Sequence, residues 1–138
     1  MIKRFILPSL VLLAAVTLAA CSGSSDPSKS IKVTMTDFAF SPTTFTVPAG
    51  EEISLEVSNN GAVTHSFIIM KAGQQVQSHF VEADKSNAYW EQAAVAPGTS
   101  IKATFTAPGE PGEYQIVCGI AGHFEAGMVA KLVVVKQP

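Results

Sequence analysis

From Ile31 onward the chain alternates apolar and polar residues with a period of two. Successive side chains of a strand point to opposite faces, so this alternation predicts strands with one face buried and the other in water. Ile31, Val33 and Met35 alternate with Lys32, Thr34 and Thr36, and Phe45 and Val47 share a face before Pro48-Ala49-Gly50. Ile53, Leu55 and Val57 alternate with Glu52, Ser54 and Glu56 and run out at Ser58-Asn59-Asn60-Gly61. Further inward sets are Phe67 and Ile69, then Ile101, Ala103 and Phe105 before Pro108-Gly109. Tyr114, Ile116 and Cys118 follow, and Met128, Ala130, Leu132 and Val134 close the chain. Short half-buried strands punctuated by Pro, Gly and Asn predict an all-β domain, an antiparallel sandwich or barrel.

Residues 71–100 break the pattern. Gln74, Gln75, Gln77, Asn87, Tyr89 and Trp90 show no clean alternation. A long loop or short helix is expected there, packed on the sandwich by Phe80, Val81 and Trp90. The alternative is a flap that shapes a partner surface.

The N-terminus follows different rules. Lys3 and Arg4 precede the largely apolar stretch Phe5 to Ala20, which Pro8 interrupts near its start. That stretch falls short of the ~20 apolar residues a spanning helix needs. A charged start and a short apolar run form an export signal, with an uncleaved anchor as the alternative. Leu18-Ala19-Ala20-Cys21 resembles the bacterial lipobox, in which the cysteine thiol is acylated. The expected organisation is a lipoprotein signal peptide at 1–20, a lipidated Cys21 with a flexible polar linker at 21–30, and one domain at 31–138. The mature protein would then be extracytoplasmic, lipid-anchored to a bacterial membrane on its periplasmic side or at the cell surface.

Composition changes this picture in two places. The formal charge of the 138 residues is −2, and losing Lys3 and Arg4 with the signal takes it to −4. Without a basic block there is nothing to neutralise phosphates, so nucleic acid is excluded as a partner. The chain has two cysteines, which first suggests a disulfide. With Cys21 lipidated, Cys118 is the only thiol of the domain and no internal disulfide can form.

Cys118 lies in a segment that spaces a thiol, an imidazole and a thioether as Cys118-x4-His123-x4-Met128, between the last two strands. A glycine-containing loop there can turn all three toward one centre. His65, where an earlier strand pair turns over, is the natural fourth ligand. Two imidazoles, a thiolate and a weak thioether favour a blue-copper electron-transfer site. Zinc competes, but its sites rarely use methionine. Taken singly, Cys118 is equally a buried core thiol, His123 a surface residue and Met128 a core residue. His79, with no ligand-type neighbour, reads as an ordinary polar histidine.

These residues carry a resemblance to the cupredoxins, the type 1 blue copper proteins, that runs from about Ile31 to Val135. Its other pieces are Asp37-Phe38-Ala39-Phe40-Ser41-Pro42, Val47-Pro48-Ala49-Gly50, Asn60-Gly61 leading into His65, and Gly112-Glu113-Tyr114 running up to Cys118. The ligand spacing looks closer to auracyanin-type members than to plastocyanin-like ones, whose loop is shorter. The resemblance implies a Greek-key β-sandwich holding one copper ion. It implies His65, Cys118 and His123 as strong equatorial ligands and Met128 as the weak axial one. It also implies N–H donors to the Cys118 sulfur from Ser66 and Ile120. The chain departs from many relatives in having Ser66 after the first histidine, where they have Asn, and Gly119 after the cysteine, where they have a hydroxyl residue.

The expected function is single-electron shuttling by Cu(II)/Cu(I) cycling in a monomeric, membrane-tethered protein. Redox partner proteins would dock on an apolar patch of Ile120, Ala121, Gly122 and Phe124 around an exposed edge of His123. Glu110, Glu113 and Glu125 would steer a basic partner. Copper delivery or storage is the alternative. An enzyme is not expected: a Cys118–His123 nucleophile pair has no orienting carboxylate beside it in the motif. Nor does the 31–138 domain hold a second bridging cysteine or a further histidine cluster for additional copper sites.

Overall fold

The computed structural model describes residues 26–137; the expected signal peptide and Cys21 lie outside the described residues. Nine strands form, at Ser30–Thr36 (β1), Ala39–Ser41 (β2), Thr44–Pro48 (β3), Glu52–Asn59 (β4), His65–Met70 (β5), Ala88–Val95 (β6), Ser100–Thr106 (β7), Gly112–Val117 (β8) and Val129–Val135 (β9). A 3-10 segment, Glu82–Asn87, leads into β6. No helix among the described residues is long and apolar enough to cross a membrane.

The strands make two sheets, β2-β1-β4-β7 and β3-β9-β8-β5-β6, so the expected β-sandwich is found. Pairing is antiparallel except at β1–β4 and β3–β9, one parallel pair in each sheet. Between β1 and β4 the chain leaves for the other sheet at β3 and returns, which brings β4 back beside β1 in the same direction.

The alternation predicts the interior well. Val33, Met35, Val47, Ile53, Leu55, Val57, Phe67, Ile69, Ile116, Leu132 and Val134 are all buried between the sheets. Phe67 meets Phe40 and Phe45 edge-on, at ring-centroid distances of 5.6 and 6.2 Å. Such contacts add to area burial and fix the approach of β2 and β3.

β5 is buried along its whole length. Its outward residues Ile68 and Met70 are covered by Val76 and Phe80 from the connection after it. The expected packing of that connection therefore holds for Phe80 but not for Val81, which is 42% exposed. Val76 takes its place, clamped as its N–H donates to Gln115 Oε1 at 2.8 Å and its carbonyl accepts from Gln115 Nε2 at 3.2 Å. Trp90 belongs to β6 and packs inward against Phe105 at 5.3 Å. At the chain's entry, the Ser28 N–H bonds Thr46 O at 2.9 Å and Lys29 pairs with Glu51 at 2.7 Å.

Candidate metal centre

One end of the sandwich collects the residues that the spacing singled out. His65 opens β5, Cys118 follows the last residue of β8, and Met128 immediately precedes β9. The loop between β8 and β9 is closed by its own backbone: Cys118 N–H to Met128 O at 3.3 Å, His123 N–H to Ile120 O at 3.0 Å, and Met128 N–H to His123 O at 3.0 Å. Cys118, His123 and Met128 are thus held on one small ring of main chain whose ends are anchored in the central strands.

The donor atoms converge. His65 Nδ1 and His123 Nδ1 are 3.1 Å apart, and Cys118 Sγ is 3.4 Å from His123 Nδ1. One ligand atom from each of the three residues lies within 4.8 Å of the others. His65, Cys118 and Met128 are fully buried, and His123 is 7% exposed. Two imidazole nitrogens at this separation repel unless a proton or a cation lies between them, and a metal ion satisfies both lone pairs and the sulfur together. Burial lowers the His123 pKa below its ordinary 6.5, and a charge on His65 would lower it further, while Asp37 and Glu125 pull weakly the other way. The lowered pKa favours the neutral ring, the form that binds metal.

The sulfur has hydrogen-bond partners. Ser66 N–H lies 3.4 Å from Cys118 Sγ, and Ser66 Oγ lies 3.8 Å from it. Ile120, the other expected donor, makes no such bond; among the described residues its carbonyl instead accepts from His123 N–H. The two departures noted in the sequence fit one another. Gly119 N–H donates to Ser66 Oγ at 2.8 Å, tying the loop to β5. A Cβ on Gly119 would come within 3.0 Å of Phe80 and closer still to Ile68, so glycine makes room for the covering segment.

Of the expected docking patch, Ala121 and Gly122 are exposed, whereas Ile120 and Phe124 are half-buried, packed on the main core and on the Phe80 cluster respectively. Two of the three acidic residues expected to steer a partner are misplaced for it. Glu110 lies just before β8 and Glu113 near its start, a strand length from the site, and Glu113 is paired with Lys131 at 2.9 Å; only Glu125 is in the metal loop. His79 is exposed in the covering segment and bonds Ser78 Oγ at 2.9 Å.

Three residues at the site were given no site role by sequence, although two of them, Asp37 and Phe38, fall in one of the family motifs. Phe38, in the β1–β2 turn, sets its ring edge-on to His123 at 5.1 Å, and it remains 44% exposed. Its φ of 64° is a left-handed conformation that costs a non-glycine residue about 1–2 kcal/mol. Asp37, beside it, places Oδ1 3.5 Å from His65 Nε2. Asn59 is fully buried; its Nδ2 donates to Val63 O and Val95 O, both at 2.8 Å, and its Oδ1 accepts from Gly61 N–H at 2.9 Å. Asn59 thereby shapes the loop that delivers His65. A turn in which a bulky residue takes positive φ is rare enough to mark a functional end, but φ is not readable from sequence.

A β-sandwich with two imidazoles, a thiol and a buried thioether at one end defines a type 1 copper protein, and copper is the cofactor that these residues fit. The model of the cupredoxin-like domain family matches residues 9–134, and the chain belongs to that family. It is 30% identical over 158 aligned positions to auracyanin-A of Chloroflexus aurantiacus, covering 95% of this chain and 96% of the relative. It is 31% identical over 112 positions to the copper-resistant cuproprotein CopI of Rubrivivax gelatinosus, covering 77% of this chain and 66% of CopI. Among solved structures it resembles dithionite-reduced auracyanin of Roseiflexus castenholzii with a TM-score of 0.68 and 28% identity, over 79% of this chain and 98% of that one.

Proposed function

We propose that the protein is a blue copper electron carrier, tethered outside the cytoplasm, in which His65, Cys118 and His123 would hold the copper strongly and Met128 would hold it weakly. The observation that carries this reading is the convergence of both Nδ1 atoms and the Cys118 sulfur inside a buried pocket built on strand ends. Bound there, copper supplies one-electron exchange between Cu(II) and Cu(I). The chain supplies the rest. Strand-anchored ligands change position little between the two states, and Ser66 N–H stabilises the thiolate charge. Burial keeps water off the sulfur, while the slight exposure of His123 leaves one route to a partner. No substrate is transformed. Redox partners would meet the end marked by Phe38, Ala121 and Gly122, and the domain would act as a monomer. Cys21 would be the lipid-bearing N-terminus, holding the protein at the membrane surface.

The test is to add Cu(II) to the purified protein and record its absorption and electron paramagnetic resonance spectra. An intense blue charge-transfer band is expected; a pale, ordinary tetragonal spectrum sinks the reading. For the tether, Cys21→Ala should move the protein from the membrane to the soluble fraction.

The similarity to CopI favours a second reading, copper delivery or storage. A chelator challenge separates the two. A carrier holds Cu(I) over many reduction cycles, whereas a delivery protein loses it rapidly.

A further inference from the structure

Once the ligands are assigned, one polar atom is left over. His65 Nε2 is buried and has no hydrogen-bond partner among the described residues. Facing it at 3.5 Å, just beyond ordinary N–H···O hydrogen-bond distance, is Asp37 Oδ1.

The carboxylate is held in that place. Its Oδ1 accepts from Ala62 N–H at 2.9 Å. Gly61 lies directly against it, and a Cβ there would overlap Oδ1 and stand 3.1 Å from His65 Nε2. The 59–63 loop is in turn fixed by Asn59 and by the bond from Asn60 N–H to Met35 O at 2.8 Å, next to the turn that carries Asp37. A bare glycine, a backbone donor and a buried asparagine thus cooperate to seat one carboxylate behind one histidine.

We propose that Asp37 is a positioning residue for the metal, an inference that rests on the copper reading of the site. With His65 Nδ1 committed to copper, the ring proton sits on Nε2, and Asp37 is the acceptor that fixes this tautomer and the plane of the ring. Its negative charge makes the imidazole a stronger donor and favours Cu(II) over Cu(I). His123 is backed differently, by the edge of Phe38. The two equatorial imidazoles are therefore electronically unequal, and Asp37 sets the difference.

The test compares the copper-loaded protein with Asp37→Asn, Asp37→Ala and, as a control far from the site, Glu110→Gln. Asp37 is 42% exposed in its side chain, and Asn is nearly its isostere, so Asp37→Asn should fold; melting of the metal-free proteins checks this. Outer partners of metal-bound histidines are worth about 10–100-fold in metal affinity. The expectation is that Asp37→Asn loses about tenfold of its preference for Cu(II) over Cu(I), a rise of about 59 mV in potential. Asp37→Ala should shift at least as far, and Glu110→Gln not at all. In the diamagnetic Cu(I) protein, the His65 Nε2–H resonance should exchange with solvent faster in Asp37→Ala than in the parent. A blue parent whose potential and Nε2–H exchange are unmoved by both Asp37 variants overturns this inference alone. A parent that never turns blue overturns the copper reading and this inference with it.

Discussion

The β8–β9 loop carries three of the proposed donors within the stretch Cys118 to Met128, whereas the β1–β2 turn carries none and faces both histidines with two residues. The loop is defined by what its side chains are: thiol, imidazole and thioether are scarce and chemically distinct. The turn is defined by where its side chains are. Asp and Phe are common residues, and their meaning here comes from a parallel neighbour strand and a loop more than twenty positions away in sequence. Three of the four proposed ligands are local and legible; His65 and what faces both histidines are brought in by the fold.

Four substitutions break or sharpen that contrast. The largest effect is expected from Cys118→Ser, which removes the thiolate and with it the blue band, read directly by absorption. Met128→Gln should keep the blue colour but lower the potential, because an amide oxygen suits Cu(II) better than a thioether does. A shift on the order of 59 mV, one tenfold step in Cu(I) preference, is expected by voltammetry. Phe38→Ala should keep both the band and the ligands yet speed loss of Cu(I) to a chelator roughly two- to tenfold, the worth of one aromatic edge contact. Equal release rates would show that the turn is only a connection. His79→Ala should leave colour, potential and release unchanged, since its side chain bonds Ser78 in the covering segment.

Legibility followed the strength of the alternation. The inward sets of β1, β3, β4 and β9 are all buried as expected, because each carries three or more branched or aromatic residues, or pairs with a strand that does. β2 was missed because it has three residues and only Phe40 inward. β6 was missed for a different reason. It does alternate, with Ala88, Trp90 and Gln92 half-buried, but alanine and glutamine give a weak hydrophobic signal, and the register slips twice against β5. The outer burial of β5 was hidden too, since Val76 and Phe80 cover it from a segment with no periodicity of its own. At the candidate metal centre, residue type and spacing pointed to His65, Cys118, His123 and Met128, and the structure brings the donor atoms of the first three together. Nothing local could show that Ser66 and Gly119 are bonded across the site, or that Asp37 faces His65.

β1 runs from Ser30 to Thr36 and ends at the turn that touches both histidines. The chain therefore enters the domain at one pole and reaches the metal at the other, about 20 Å further on for a strand of this length. A leash attached ahead of Ser30 would present the copper end outward, like a lamp on a stalk. Electrons would then be collected from proteins standing away from the bilayer more readily than from those embedded in it.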